Sequence, residues 1–239
     1  FQEPMTALNP CMRIGRHIGE VIRLKYKTVS WKDAEATAVR LLGEVQVPNP
    51  ERRAQQYPHE LSGGMRQRVM IAMATALSPA LLVADEPTTA LDVTVQEQIL
   101  DLLRALHDRS GMSVLLITHD IGVIAEMCDR VVVMYAGVVV EQGAVADVLR
   151  SPAHPYTWAL LQAMPRVDTT SRQDLVAIPG WISDDDRAVP GCRFQKRCAF
   201  AEERCAQPQR LHAVGDREVR CWKANATDWL ARQPAGSPV

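Results

Sequence analysis

The chain lacks an excess of either charge. Lys and Arg number 27 and Asp and Glu 28, a formal net charge of −1 at pH 7. Without a global basic field, binding to nucleic acid or to an anionic membrane surface by bulk electrostatics is disfavoured, and any such binding would be local. A long apolar run is also lacking. The longest extends from Val131 to Val140, far short of the roughly 20 residues that a spanning helix needs. No charged segment followed by an apolar one opens the sequence, so nothing marks it for export and the expected compartment is the cytoplasm. There is no internal repeat. Phe1 rather than Met opens the chain, as expected of a sequence that starts inside a longer reading frame. What is present is ordinary globular composition. The 239 residues are 47% hydrophobic and 23% charged, enough to bury one large domain, or one domain plus an appendage.

The composition changes along the chain. Cys192, Cys198, Cys205 and Cys221, with Trp158, Trp181, Trp222 and Trp229, lie in the C-terminal part, whereas the aliphatic strand-like runs lie before Val140. This places a second unit from about residue 150. Residues 1–150 form the expected first domain, 151–232 an extension, and 233–239, rich in Pro, Gly and Ser, a disordered tail. Within the first part, strand-like and helix-like segments alternate, which predicts a parallel sheet covered by helices, an α/β fold. Leu81–Ala84 reads as a buried strand stopped by Asp85-Glu86-Pro87. Val95, Ile99, Leu102, Leu103 and Leu106 recur at helical spacing until Gly111. Val114–Ile117 is the next strand, closed by Thr118-His119-Asp120. Val131–Met134 and Val138–Val140 flank Ala136-Gly137 as a strand-turn-strand pair, and Arg13–Pro58 reads as helical with polar interruptions.

In an open α/β sheet, ligands bind outside the carboxyl ends of the strands, where Asp85, Glu86 and His119 stand. An Asp there can hold Mg²⁺ through oxygen, and a following Glu can polarise a water against a metal-bound phosphate. Each residue alone is equally consistent with a helix cap or a core histidine. Ser62-Gly63-Gly64 opens an amphipathic helix that buries Val69, Met70, Met73 and Leu77. Glycines without Cβ atoms let backbone N–H groups approach an anion closely, and the helix dipole and the Ser62 hydroxyl add to the attraction. The plainer alternative is a flexible helix cap.

Leu61-Ser62-Gly63-Gly64-Met65-Arg66-Gln67-Arg68 resembles the signature of ATP-binding cassette (ABC) ATPases. Asp85-Glu86-Pro87 is similar to the end of that family's Walker B strand, Ala90-Leu91-Asp92 to its D-loop, Thr118-His119-Asp120 to its switch-histidine loop and Phe1-Gln2-Glu3-Pro4 to its Q-loop. The five motifs stand in family order, and the resemblance covers nearly the whole chain. The resemblance implies a partial P-loop NTPase fold, with a helical subdomain over about residues 5–77 and a small Cys-containing C-terminal extension. It implies ATP and Mg²⁺ as ligands. Asp85 and Gln2 would serve Mg²⁺, Glu86 would activate the attacking water, and His119 would contact the γ-phosphate. Ser62, Gly63, Gly64 and Gln67 would bind the nucleotide held by a second, head-to-tail ABC subunit, and Asp92 would bridge the two sites.

One departure is large. No G-x-x-x-x-G-K-[S/T] occurs among the 239 residues, so the phosphate cradle is absent. The chain reads as a fragment expected neither to bind ATP tightly alone nor to hydrolyse it. Ser151-Pro152-Ala153-His154-Pro155-Tyr156-Thr157, Ile178-Pro179-Gly180 and Gly191–Cys198 look like the C-terminal extension of ATPase subunits of oligopeptide, dipeptide and nickel importers. Met5–Pro10 resembles the same subfamily, while Arg193 and Lys196 depart from the prolines common there. The implied partners are a second ABC subunit, two transmembrane permease subunits and, indirectly, an extracytoplasmic peptide-binding protein, at the cytoplasmic face of the membrane, with no nucleic acid. Alternatives are a nickel importer subunit, a non-hydrolysing pseudo-subunit, and a soluble ABC protein of translation control or DNA repair. Cys192, Cys198, Cys205 and Cys221 are spaced C-x5-C-x6-C-x15-C. Zinc ribbons favour C-x2-C pairs, so a [4Fe–4S] centre, which the subfamily resemblance also implies, is expected ahead of zinc or of plain reduced thiols. Cys11 and Cys128 read as buried thiols.

Overall fold

The computed structural model of the chain describes residues 7–89, 91–164 and 178–224. The chain divides into two compact units at the junction between Ile121 and Gly122.

The first unit begins with helices. In α1 (Ile14–Lys25), Ile14, Ile18 and Ile22 fall at four-residue spacing and are all buried, which gives the helix one apolar stripe. Ser30 caps α2 (Trp31–Glu44), its hydroxyl accepting the Asp33 N–H at 3.2 Å. A short α3 (Pro50–Ala54) starts on proline, where a missing N–H costs nothing. In α4 (Gly63–Thr75), six successive residues from Gln67 to Ala72 are buried. The expected single stripe is therefore too narrow, because α1, α2 and the later α5 all pack on this helix.

Two parallel strands follow, β1 (Leu81–Asp85) and β2 (Ser113–Ile117), joined through α5 (Val93–Ser110). Asp92 caps α5 by accepting the Val95 N–H at 2.9 Å, and Gly111 ends it at φ +66°, a conformation glycine adopts without a Cβ penalty. Ile99, Leu102, Leu103 and Leu106 are buried as their spacing predicts. β1 differs from the expected buried strand: Leu82 and Ala84 are buried, but Leu81 and Val83 are about half exposed. A continuous apolar run encodes two faces for burial, and among the described residues only one is covered.

After α6 (Ile121–Met127), the second unit is built on a four-stranded antiparallel sheet. β3 (Arg130–Tyr135) and β4 (Val138–Ala144) form the expected hairpin. Ala136 and Gly137 both take positive φ, +47° and +84°, the primed-turn geometry that matches strand twist. α7 (Val145–Arg150), α8 (Pro155–Gln162) and the short α9 (Asp184–Ala188) precede β5 (His212–Val214) and β6 (Arg217–Val219). β6 pairs with β4, Glu141 opposite Val219, and the strand order is β3-β4-β6-β5. The boundary placed near residue 150 from composition and the division into compact units between Ile121 and Gly122 describe different properties of the chain. The change in composition marks where cysteines begin, whereas strand pairing joins the extension to the hairpin before it. The tail 233–239 lies outside the described residues.

Glu141 is the polar anchor of this unit. It is fully buried, and its carboxylate accepts the backbone N–H groups of Ala153 at 2.8 Å and His154 at 3.0 Å, with Arg217 Nη1 at 3.5 Å. These bonds hold the turn leading into α8. His154 is only 1% exposed, and its Nδ1 accepts the Tyr156 N–H at 3.0 Å. That bond assigns the neutral ring's proton to Nε2. Burial pushes the His154 pKa down to about 3.

A histidine that is neutral when folded takes up a proton on unfolding. Its contribution is complete above about pH 6.5, the unfolded value, and is lost as pH falls toward 3, by about 1.4 kcal/mol per pH unit across that window. Denaturation midpoints measured from pH 7 to 4 are expected to fall steeply in the wild type. His154→Asn, which keeps a capping acceptor but does not titrate, is expected to flatten that acid limb.

Candidate active site

The sequence-predicted nucleotide-site residues that are described fall into two groupings, both in the first unit. The first is created by the parallel register of β1 and β2. Asp85 lies opposite Ile117, and the Glu86 N–H donates to the Ile117 carbonyl at 2.9 Å. Both strands therefore end at one level, and the residues just beyond them meet. His119 Nδ1 lies 3.3 Å from Glu86 Oε1. The His119 side chain is 79% exposed, which excludes a core histidine, and the Glu86 side chain is 28% exposed. Glu86 holds a left-handed φ of +44°. Such a backbone is costly for a residue with a side chain and persists where the surroundings over-determine it.

Thr89 was not legible as a site residue. Its hydroxyl donates to Glu86 Oε2 at 2.8 Å, and its N–H to the Glu86 carbonyl at 3.2 Å. The Thr89 hydroxyl first, and the His119 hydrogen bond second, hold the Glu86 carboxyl below the ordinary glutamate range. Each of these donors favours the ionised form. An ionised carboxylate beside an imidazole at a strand end can accept a proton of a water molecule and orient it. The one available signal was the three-residue step from Glu86 to Thr89 over Pro87.

The second grouping joins the N-terminal turns of α4 and α5. Ser62 and Gly63 are exposed at the start of α4, and the Ser62 hydroxyl accepts the Met65 N–H at 3.4 Å. A Cβ on Gly63 would lie 3.5 Å from Leu91 of the segment leading to Asp92. Asp92 rather than Asp85 is the helix cap here. Gln67 is only 6% exposed. Its side chain is buried, unlike the exposed Ser62 and Gly63. Gln2 and Ala90 lie outside the described residues. A cleft of about 550 Å³ lined by Arg13, Arg16, Glu35, Gln55 and Tyr57 belongs to neither grouping.

In the second unit the four C-terminal cysteines come near one another. Gly191 permits this, because a Cβ there would lie 2.3 Å from the Cys205 carbonyl, to which the Cys192 N–H donates at 2.8 Å. Burial raises the thiols of Cys192, Cys198 (to about 11) and Cys221 (to about 12), and the neighbouring cysteines add to each rise. Cys205 Sγ accepts from Trp222 Nε1 at 3.4 Å. Yet among the described residues no three His, Cys, Asp or Glu side chains are arranged to hold a metal ion. A four-sulfur zinc site needs its sulfurs about 3.8 Å apart to reach Zn–S bonds of about 2.3 Å. The expectation of a [4Fe–4S] or zinc centre therefore finds no support among the described residues, and none of the four is in a disulfide. Cys11, expected to be buried, is exposed.

Comparison with known proteins shows the family. Residues 1–89 match the ABC transporter family, and residues 140–205 match the oligopeptide/dipeptide transporter C-terminal region. A peptide import ATP-binding protein of Brucella melitensis is 54% identical over 210 residues, 86% of this chain and 62% of that protein. One from Brucella abortus is 49% identical over 222 residues, 92% of this chain and 66% of that protein. The chain thus spans just under two thirds of the length of these relatives. A dimeric, post-hydrolysis ATP-binding cassette bound to ADP and phosphate is similar in structure, with TM-score 0.53, 32% identity and 61% of each chain covered. So is cbiO1 from Clostridium perfringens, part of the ABC transporter complex cbiONQ, with TM-score 0.54, 26% identity, and 63% of this chain and 58% of that one covered. The chain belongs to the ABC transporter ATPase family. Its second unit carries the C-terminal region that marks the oligopeptide/dipeptide type. Among the described residues no helix is long and apolar enough to cross a membrane.

If Thr89 keeps Glu86 ionised, Thr89→Val raises the Glu86 pKa. The acid limb of kcat/KM for ATP in the full-length protein is expected to move to higher pH, with the basic limb unchanged. A pH–rate profile of the two proteins checks this.

Proposed function

We propose that this chain supplies the catalytic carboxylates and the signature helix of an ATPase subunit that energises import of oligopeptides or dipeptides. The observation that carries the reading is the Glu86–His119 pair at the ends of two parallel strands. Phosphoryl transfer to water asks little covalent chemistry of a protein; it asks for a placed water, stabilised charge and exclusion of competing geometries. Glu86, ionised and fixed by Thr89, holds the water through a proton. His119 keeps Nε2 as its second hydrogen-bonding atom for the γ-phosphate. Asp85, an oxygen donor at the strand end, fits Mg²⁺, which keeps most of its water shell and takes few carboxylates alongside substrate phosphates. Bound there, Mg²⁺ would neutralise charge on the phosphates.

Ser62 and Gly63, exposed at a helix N-terminus, suit a phosphate brought from outside the protomer. This supports a head-to-tail pair of ABC subunits in which each signature turn completes its partner's site, with Asp92 between the two. No G-x-x-x-x-G-K-[S/T] occurs in the 239 residues, so the cradle for a protomer's own nucleotide is not among them, and activity belongs to the whole protein. Two permease subunits, an extracytoplasmic peptide-binding protein and a peripheral place on the cytoplasmic face of the membrane complete the reading. The match over residues 140–205 and the names of the relatives support peptides as the cargo.

Glu86→Gln in the full-length protein is expected to lower ATP turnover by about 10²–10⁴-fold and to abolish uptake of a labelled tripeptide by cells that depend on this subunit. Unchanged turnover would point to a non-hydrolysing partner subunit. Loss of nickel uptake with peptide uptake intact would point to a nickel importer.

A further inference from the structure

Gly64 carries a constraint that Gly63 does not. A Cβ built on Gly64 would lie 2.6 Å from Val95 Cγ1, while Val95 Cβ and Cγ2 stand 3.8 and 3.9 Å away. For Gly63 the corresponding contact, to Leu91 Cδ2, is an ordinary 3.5 Å. The collision at Gly64 comes from a branched side chain, whose χ1 has few alternatives. Val95 in turn is tied to the Asp92 turn, because its N–H donates to Asp92 Oδ1 at 2.9 Å. The first turns of α4 and α5 are therefore in contact through a glycine and a valine.

A second key lies one turn further along both helices. Arg68 Nη2 donates to Gln98 Oε1 at 3.2 Å, and Arg68 Nη1 donates to the Val45 carbonyl at 2.9 Å and to Gln46 Oε1 at 3.3 Å. Arg68 is buried, 7% exposed. Contacts at two levels fix both the spacing and the rotation of one helix against the other, since a single contact would leave a pivot. The Ser62–Gly63 turn and the Asp92 turn then move as one surface.

We propose that position 64 must be glycine because Val95 occupies the space of its side chain, and that Val95 is a positioning residue setting the distance between the signature turn and the Asp92 turn. The proposal rests on the reading above, in which the Ser62 turn meets a nucleotide. It separates two roles that the paired glycines share in sequence. Gly63 is exposed, with room for a Cβ beside Leu91, and Gly64 abuts Val95 of α5. Overpacked contacts of this kind are relieved only by shifting a backbone, and a shift of about 1 Å in a site costs up to about 10²-fold in rate.

The test is a rescue in the full-length protein. Gly64→Ala is expected to raise KM for ATP by about tenfold or more and to lower the melting temperature. Val95→Ala alone is expected to raise KM with kcat and melting little changed, a split that a merely structural side chain would not produce. The double variant places the new Cβ 3.8 Å from that of residue 95, as judged from the present separation. Its KM and melting temperature are expected to return to those of Val95→Ala. A double variant as impaired as Gly64→Ala would overturn the proposal and put the need for glycine at the nucleotide. So would a Gly64→Ala protein that matches the wild type. If the wild type turns over no ATP, the nucleotide reading fails by itself. The melting temperatures still decide the contact: restoration in the double variant upholds it and no restoration rejects it.

Discussion

The parallel register of β1 and β2 is the constraint on which the first unit depends. Leu81 opposite Ser113 and Asp85 opposite Ile117 make the two strands start and stop together. In an antiparallel pair Glu86 and His119 would stand at opposite ends of the sheet. In a parallel pair they stand at the same end, and one backbone bond from the Glu86 N–H to the Ile117 carbonyl completes the alignment. The left-handed backbone at Glu86 is the local cost of leaving the strand so abruptly, and the Thr89 bonds help to hold it. A crossover helix is what parallel strands require. α5 provides it, and its first turn is also the one that meets the signature helix. The sheet, the Glu86–His119 pair and the Ser62 turn are thus linked through one β-α-β unit.

Electrostatics divide the labour between the two groupings. At the strand ends, the protein keeps a carboxylate ionised by giving it hydroxyl and imidazole donors. At the helix ends, the neutral Ser62 hydroxyl caps α4 by accepting the Met65 N–H, whereas the charged Asp92 carboxylate caps α5 by accepting the Val95 N–H. The α4 turn is therefore the one suited to an incoming anion. This asymmetry has a simple cause in sequence: Ser with glycines begins one helix and Asp begins the other.

Much of this was legible because it is local. The spacing of Ile99, Leu102, Leu103 and Leu106, the Asp92 and Gly111 boundaries, the Ala136-Gly137 turn and the polar residues after each apolar run all report on neighbours within a few positions. The Glu86–His119 meeting was legible once the strands were read as parallel. What was not legible depends on distant partners. The pairing of β4 with β6 joins Gln142 to Glu218, 76 positions apart, a link that composition does not encode. The burial of Gln67 depends on helices packed on three sides of α4, which motif spacing does not encode. The four cysteines all fall in the C-terminal unit, where Cys192 and Cys198 pack against Phe194 and Cys205 accepts from Trp222, but no metal-holding arrangement of three such side chains stands among the described residues.

On the proposed function, Glu86 and His119 act on a water at a phosphate completed by a partner's signature turn. The chemical state of the nucleotide retained by full-length Glu86→Gln after incubation with ATP and Mg²⁺ tests this. Intact ATP is expected, held in a dimer that survives gel filtration and is lost when Ser62 is replaced by Arg. Recovery of ADP at the wild-type rate, or retention by a monomer, would contradict it.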